Sequence, residues 1–171
     1  MANDRDTKIR KYSHSGVLID TNLLLVYIVG LYDVETGYQL LNTFKYTKGD
    51  YDSRDFNVLD KFLKNFRVRV TTPHILAEVS NILSSGLIYT ARDSCLGLIQ
   101  KMIPATFHEH CIPAKQLLAE DEVRTYGVAD IGIRQSAVAG PYLVLTDDGR
   151  LSDYLNRVKV DTLSLAEVKH A

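Results

Sequence analysis

The amino-acid sequence predicts an α/β protein whose parallel sheet is covered by helices on both faces. Short apolar runs of strand length alternate along the chain with segments in which apolar residues recur at helical spacing. Parallel strands need such helical crossovers and become buried on both faces. The 171 residues, 46% of them hydrophobic, suffice for one domain core but not comfortably for two.

The first elements follow from polarity and periodicity. Residues 1–14 are polar and mildly basic, which predicts a flexible N-terminal arm. The apolar run 17–19 predicts a buried strand. Residues 22–29 are almost wholly apolar and predict a buried helix that is closed by Gly30.

The middle of the chain contains three alternating elements. Apolar residues at helical spacing predict a helix over 58–66, and an alternating pattern predicts a strand over 67–71. Thr72 and Pro73 are typical of a helix cap and of the first helical position. A helix is therefore predicted over 74–84.

The last third of the chain repeats this alternation and completes the sheet. The predicted elements are a helix over 91–103, a short strand within 106–112, helices over 114–122 and 128–139, a strand over 142–146, a short helix ending at 156 and a strand over 158–163. Neither an internal repeat nor a linker interrupts this order. A single domain is therefore expected over 15–171.

Charge and composition exclude several classes of protein. The 20 basic and 21 acidic residues give a formal net charge of -1, which excludes a strongly basic nucleic-acid coat. The longest apolar region, 16–32, is interrupted by polar residues, so no membrane association is expected. Cys95 and Cys111 match no zinc-ligand spacing, and no secretory signal is present. Reduced thiols in a cytoplasmic protein are the expected state.

Acidic residues directly follow two of the predicted strands. Asp20 follows 17–19, and Asp147 and Asp148 follow 142–146. Because ligands of parallel α/β sheets bind beyond the carboxyl ends of the strands, these side chains are expected at one edge of the sheet. Turn formation or helix capping is the alternative explanation for either site alone.

Two further acids are candidates for the same edge. Glu78 lies in the first turns of the helix after 67–71, and Asp130 lies among small and apolar residues at a helix start. An exposed glutamate and a helix cap are the alternatives. Four converging carboxylates would repel one another, and Mg²⁺ or Mn²⁺ would relieve that repulsion. Such a site can activate water against a phosphodiester.

Four segments resemble, in order, the motifs of PIN-domain ribonucleases. They are Val17-Leu18-Ile19-Asp20-Thr21-Asn22, Pro73-His74-Ile75-Leu76-Ala77-Glu78, Gly127-Val128-Ala129-Asp130 and Leu145-Thr146-Asp147-Asp148. The resemblance covers about 16–163. It implies a three-layer α/β/α sandwich with a central parallel sheet, an acidic pocket for Mg²⁺ or Mn²⁺, and endonucleolytic hydrolysis of RNA by metal-activated water.

The resemblance also implies roles for individual residues. The acids that match metal-binding, catalytic positions are Asp20, Glu78, Asp130 and Asp148. Asn22 matches a residue that supports Asp20 by hydrogen bonding, and Thr146 matches a hydroxyl that supports the fourth acid. Asp147 is an additional acid that could share or take the role of Asp148.

The chain departs from the shorter family members that act as toxins in toxin–antitoxin pairs. Extra sequence, an insertion around 32–57, separates the first two acids. Its Tyr38, Tyr46 and Tyr51 are candidates for stacking on bases, with loop or core packing as the alternative. By family analogy, an inhibitory protein and a second copy of the chain are candidate partners beside an RNA substrate.

Basic residues near the acids are candidates for holding substrate phosphates. Arg150 follows the acidic turn, and Arg134 lies one helical turn beyond Asp130 on the same face. An internal salt bridge is the alternative for Arg134. The His-Glu-His run at 108–110 chelates poorly without further ligands and is interpreted as surface histidines.

The sequence favours a metal-dependent endoribonuclease over two other functions. A non-catalytic RNA- or protein-binding module on the same fold is the first alternative, although a binding pocket has no need of four acids. A phosphohydrolase with an aspartate nucleophile is the second. Asp20 is followed by Thr21 and Asn22, without the second aspartate two residues on that such an enzyme would be expected to carry.

Overall fold

A computed structural model of the chain describes residues 4–44 and 51–169. Within these ranges five parallel strands form one sheet that is flanked by helices, which confirms the expected α/β/α class. Tyr46 lies outside the described residues. The strands are β1 (Val17–Ile19), β2 (Arg69–Thr71), β3 (Phe107–Glu109), β4 (Leu143–Leu145) and β5 (Thr162–Leu163).

Between β1 and β5 the helices alternate with the strands in the order that the sequence predicts, whereas the first and last helices of the described chain are not predicted. The helices are α1 (Asp4–Tyr12), α2 (Thr21–Thr36), α3 (Ser53–Leu63), α4 (Pro73–Gly86), α5 (Tyr89–Thr106), α6 (Ala114–Leu117), α7 (Val123–Ala139), α8 (Gly149–Arg157) and α9 (Leu165–Lys169), with a 3₁₀ turn at Leu41–Thr43. Helix α6 is shorter than the helix predicted over 114–122. None of the helices in the described ranges has the length and apolar character needed to cross a bilayer.

The strand order β3-β2-β1-β4-β5 creates a crevice beside β1. The chain moves from β1 outward to β2 and β3 and then returns to the other side of β1 to form β4. Ile19 is in register with Leu145, and the Asp20 amide donates to the Leu145 carbonyl at 3.0 Å. The carboxyl ends of β1 and β4 therefore lie side by side at the point where the strand order reverses, where α/β sheets bind their ligands.

The core is built around β1 and α2. Every residue of β1 is fully buried, as are most residues of α2 from Leu23 to Val29. Helix α2 is apolar nearly all round, which is typical of a helix that is covered on every side. It contacts α3, α4 and α5, so the residue that precedes it, Asp20, is anchored to a helix that is buried on all sides.

Gly30 does not close α2, contrary to the sequence-based expectation. The helix continues through Gly30 to Thr36 and is capped by Gly37, which adopts a left-handed conformation (φ 75°) and donates to the Asp33 carbonyl at 2.8 Å. A Cβ at Gly30 would overlap the ring of Phe56. Glycine is needed at position 30 because α3 packs closely there.

From residue 4 onward, the segment that polarity predicts to be a flexible arm is instead a packed helix. Residues 4–12 form α1, and the Tyr12 side chain is buried. The Tyr12 hydroxyl and the Lys11 ammonium both donate to Asp161 Oδ2, at 2.8 and 2.7 Å. The prediction was wrong because the partner of these side chains, Asp161, is about 150 positions away in the sequence. Without that partner, a polar and basic segment resembles a solvated tail.

Of the three insertion tyrosines that are candidates for stacking on bases, the two that the structure describes, Tyr38 and Tyr51, contact other protein groups. Tyr38 stacks on Tyr32 with ring centroids 6.0 Å apart. The Tyr51 hydroxyl donates to Asp147 Oδ2 at 2.8 Å. The insertion thus contributes the last turn of α2, the 3₁₀ turn and the start of α3, and Tyr51 ties it to the carboxyl edge of the sheet.

Candidate active site

Asp20 is the most deeply placed acid at the carboxyl edge of the sheet. It follows β1 directly and serves as the N-cap of α2, with only 5% of its surface exposed. Its Oδ1 accepts the Thr21 amide at 2.6 Å, and its Oδ2 accepts the Thr146 hydroxyl at 2.7 Å. These two donors fix the orientation of the carboxylate.

The surroundings of Asp20 disfavour its charge. Burial raises the pKa of Asp20 from 3.8 to about 6, although the hydrogen bonds from Thr146 and Thr21 act in the opposite direction. The negative charges of Asp148 and Glu78 raise the pKa further. The carboxylate therefore sits in a place where a positive charge would be stabilising.

Thr146 links Asp20 to the next acid. Its hydroxyl donates to Asp20 and accepts the amide of Asp148 at 3.0 Å. Asp148 in turn caps α8, because its Oδ1 accepts the amides of Arg150 and Leu151 at 2.9 and 3.2 Å. The turn after β4 thus orients Asp148 through the N-terminus of α8, where a negative charge is favoured.

Glu78 reaches the site from α4. That helix starts as the sequence predicts, with Thr72 Oγ1 accepting the Ile75 amide at 3.2 Å and Pro73 in the first turn. Glu78 is exposed, and its Oε2 accepts the Thr21 hydroxyl at 2.7 Å. Thr21 therefore connects Glu78 to the backbone that carries Asp20.

Asp130 is contributed by a third helix, α7. This helix is interrupted at Gly127, whose φ of 87° and ψ of 169° are not helical. The positive φ favours glycine at this kink. Asp130 follows three residues later, in the first turn of the second helical segment, where the helix dipole favours a carboxylate.

These acids line one pocket of about 590 Å³. Its walls comprise Asp20, Thr21, Asn22, Glu78, Tyr126, Gly127, Val128, Ala129, Asp130, Asp148 and Arg150. The structure thus brings together four of the five candidate acids. Asn22 lines the pocket as well, but within the described residues the donors to the Asp20 carboxylate are Thr21 and Thr146, not Asn22.

Asp147, the fifth candidate acid, does not line the pocket. Its Oδ1 accepts the Leu165 amide at 2.6 Å at the start of α9, and its Oδ2 accepts the Tyr51 hydroxyl. Of the two adjacent acids, Asp148 is the one that lines the pocket.

The two candidate substrate-binding arginines differ in their surroundings. Arg150 lines the pocket and donates to the Thr125 carbonyl. Arg134 does not line the pocket, and its Nη2 lies 3.0 Å from Glu120 Oε2 and 4.0 Å from a Glu122 carboxylate oxygen. For Arg134 the internal salt bridge is therefore the role that the structure gives, with Glu120 rather than Asp130 as the partner.

The pocket acids do not form a ready-made metal cluster. Across residues 4–44 and 51–169, no group of three or more His, Cys, Asp or Glu side chains is arranged so that it could hold a metal ion. Neither the His-Glu-His run at 108–110 nor the two free cysteines belong to such a group within these ranges. The acids share a pocket, with Asp20 at its base and Glu78 at its exposed side.

Two residues that line the pocket, Thr21 and Tyr126, are not among the site residues predicted from the sequence. Thr21 lies inside a quoted motif, but only the fold shows that its hydroxyl faces Glu78 across 57 positions of sequence. Tyr126 precedes the small residues of the third motif, and its packing on Tyr154 depends on α8. The adjacent Gly127 is the sequence signal that could have pointed to Tyr126. A glycine shortly before an acid at a helix start indicates a place where the backbone can turn.

Comparison of the chain with protein-family models, with curated proteins and with solved structures gives no match.

Proposed function

We propose that the protein is a metal-dependent endoribonuclease that hydrolyses RNA phosphodiester bonds. The observation that supports this function is the placement of Asp20, Glu78, Asp130 and Asp148 around one pocket, at the switch point of a parallel sheet. The order of the motifs resembles that of PIN-domain ribonucleases. Because no family match accompanies it, the resemblance rests on the residues themselves.

The donor set of the pocket suits Mg²⁺ or Mn²⁺. All four acids offer oxygen ligands, which these hard cations prefer. Asp20 uses one hydrogen bond on each oxygen, so about half of its roughly four acceptor positions remain for a cation. A bound cation would supply charge stabilisation to the phosphate and a lowered pKa to a coordinated water.

The residues of the chain have distinct roles under this proposal. Thr146 and Thr21 hold the Asp20 carboxylate in a fixed orientation, and Thr21 also positions Glu78. Asp148 is fixed by the N-terminus of α8. Arg150, at the rim of the pocket, provides positive charge for a phosphate of the bound strand.

RNA cleavage in the presence of Mn²⁺ tests this proposal. Purified wild-type protein should cleave a labelled single-stranded RNA, and EDTA should stop the reaction. Asp20→Asn and Asp130→Asn should each lower the rate by at least about 100-fold. Asp93→Asn, an exposed change on α5, is the matched control and should keep the wild-type rate. Equal cleavage by the wild type and both pocket variants would indicate a contaminating nuclease and refute the proposal.

A non-catalytic RNA- or protein-binding module on the same fold is the second candidate. The absence of a metal-holding group of acids within the described chain favours it. Calorimetric titration with Mn²⁺ separates the two candidates. Binding that Asp20→Asn abolishes supports the nuclease, whereas no heat of binding at millimolar Mn²⁺ supports the binding module.

The proposal extends to the setting of the enzyme. We place it in the cytoplasm, because its cysteines are unpaired in the structure and thiols stay reduced there. A homodimer and an inhibitory protein that covers the acidic pocket, as in toxin–antitoxin pairs, are the partners that the resemblance suggests. Co-purification with the product of a neighbouring gene, and loss of RNA cleavage in that complex, would test the toxin role.

A further inference from the structure

The rim of the acidic pocket carries a stack of two tyrosines. Tyr126 lines the pocket, and its ring lies on the ring of Tyr154 with centroids 4.0 Å apart and planes 15° from parallel. Tyr154 belongs to α8 and is only 3% exposed. Tyr126 therefore packs on a buried neighbour and forms part of the pocket rim.

Two arginines of α8 are attached to this stack. The guanidinium carbon of Arg150 lies 5.1 Å from the centroid of the Tyr126 ring. Arg157 Nη2 donates to the Tyr126 hydroxyl at 3.1 Å, and its Nε donates to the Asp153 carbonyl at 3.2 Å. Positions 150 and 157 are two helical turns apart, so both side chains leave the same face of α8, about 10 Å apart along its axis.

The charges of these two arginines remain uncompensated by ion pairs within the described residues. Both side chains are exposed, and their hydrogen-bond partners are backbone carbonyls and a hydroxyl. Arg134, at the other end of the tyrosine stack, instead forms an ion pair with Glu120. An arginine that is positioned by neutral groups can form an ion pair with an anionic ligand.

We propose that Arg157 and Arg150 form a phosphate-binding pair, mounted on Tyr126, that holds the backbone of a single-stranded RNA as it leaves the acidic pocket. This inference rests on the proposed ribonuclease function and deepens it. The pair would supply, beside a pocket of negative charge, the positive charge that a polyanionic substrate needs. The proposed pair is compatible with the net charge of -1 of the whole chain, because two local cations are enough to contact the RNA backbone.

Salt-dependent RNA binding tests the inference without any cleavage. The probe is a fluorescently labelled single-stranded RNA, and its anisotropy is measured in EDTA from 50 to 200 mM salt. Arg157→Gln should weaken binding about tenfold at low salt. It should also lower the log–log salt slope by about 0.7, the amount expected for one lost phosphate contact on a single strand. Arg157→Lys should keep the wild-type slope. Arg67→Gln, an exposed arginine at the opposite edge of the sheet, should match wild type.

A purely structural role for Arg157 would give different results. Tyr126→Phe removes the hydroxyl that Arg157 contacts but keeps the ring on Tyr154. If Arg157 acts by its charge, Tyr126→Phe keeps the wild-type salt slope, and Arg157→Gln raises KM for RNA cleavage with kcat nearly unchanged. If Arg157→Gln and Tyr126→Phe lower kcat equally and leave the slope at the wild-type value, the inference is wrong.

The two proposals fail in distinguishable ways. A wild-type protein that cleaves no RNA, with a reduced salt slope in Arg157→Gln, would contradict the nuclease function and leave the phosphate-binding pair in place. A protein that cleaves RNA with Mn²⁺, with the same affinity and slope in wild type and Arg157→Gln, would overturn the phosphate-binding pair alone.

Discussion

The buried charge of Asp20 should make the protein less stable, and Asp20→Asn should therefore raise its stability in the absence of divalent metal. The asparagine keeps the shape of the side chain and remains a good helix cap. It removes the charge that burial, Asp148 and Glu78 disfavour. This change separates the effect of charge from that of packing.

The magnitude follows from the pKa of Asp20 and from its two hydrogen bonds. A pKa raised from 3.8 to about 6 corresponds to about 3 kcal/mol of destabilisation at neutral pH. The asparagine amide group would face the Thr146 hydroxyl, which can accept a hydrogen bond instead of donating one. The hydrogen bonds that favour the charged carboxylate are already included in this pKa. The gain for Asp20→Asn at neutral pH is therefore up to about 3 kcal/mol, which corresponds to a Tm increase of up to about 6–12 °C for a chain of this size.

Calorimetric unfolding in EDTA at several pH values measures this effect. The folded protein binds a proton at Asp20 more tightly than the unfolded chain does, so the contribution of Asp20 to the stability of the wild type falls as pH rises from about 4 to about 7. The advantage of Asp20→Asn should therefore be largest at pH 7.5 and vanish near pH 4. Mn²⁺ should stabilise the wild type and leave Asp20→Asn unchanged.

Asp161→Asn is the control of opposite sign. Burial acts to raise the pKa of Asp161, but the hydrogen bonds from Lys11 and Tyr12 outweigh it and lower the pKa. Asp161→Asn should therefore destabilise the protein at pH 7.5. An Asp20→Asn protein that is less stable than wild type in EDTA at pH 7.5 would refute the reasoning about buried charge.

Three further outcomes are expected. Gly30→Ala should destabilise the protein by about 1–3 kcal/mol in chemical denaturation, because the added methyl group overlaps the ring of Phe56. Gly97 lies in the interior of α5 with open space around it, so Gly97→Ala should be neutral or stabilising by up to about 1 kcal/mol. Equal losses of stability in Gly30→Ala and Gly97→Ala would contradict the packing argument. Thr21→Val should weaken Mn²⁺ binding about tenfold in calorimetry, because Glu78 loses the hydroxyl that positions it, and an unchanged Mn²⁺ affinity would show that this hydrogen bond has no part in the site.

The sequence predicts well those features that depend on local pattern. The strands β1 and β4 are continuous apolar runs between polar residues, and the acids that follow them lie at the carboxyl edge of the sheet because all strands are parallel. The cap at Thr72 and the proline after it place the start of α4 correctly. These features need no knowledge of what packs against them.

Other features depend on contacts between distant parts of the chain. Gly30 resembles a helix terminator in the sequence, but its role is set by Phe56, 26 positions away. Asp147 and Asp148 both follow β4, and the contacts of Asp147 with the Leu165 amide and the Tyr51 hydroxyl leave Asp148 as the acid that lines the pocket. Periodicity alone contains no information about such partners.

The most direct test of the central claim compares these two adjacent acids. Asp148 lines the pocket, whereas Asp147 is bonded to Leu165 and Tyr51. The measurement is the initial rate of single-stranded RNA cleavage with Mn²⁺ by Asp148→Asn and Asp147→Asn, purified in parallel with wild type. The acidic pocket predicts a loss of at least about 100-fold in Asp148→Asn and a rate within about threefold of wild type in Asp147→Asn. Equal rates in the two variants, or the larger loss in Asp147→Asn, would contradict the claim that this pocket performs the hydrolysis.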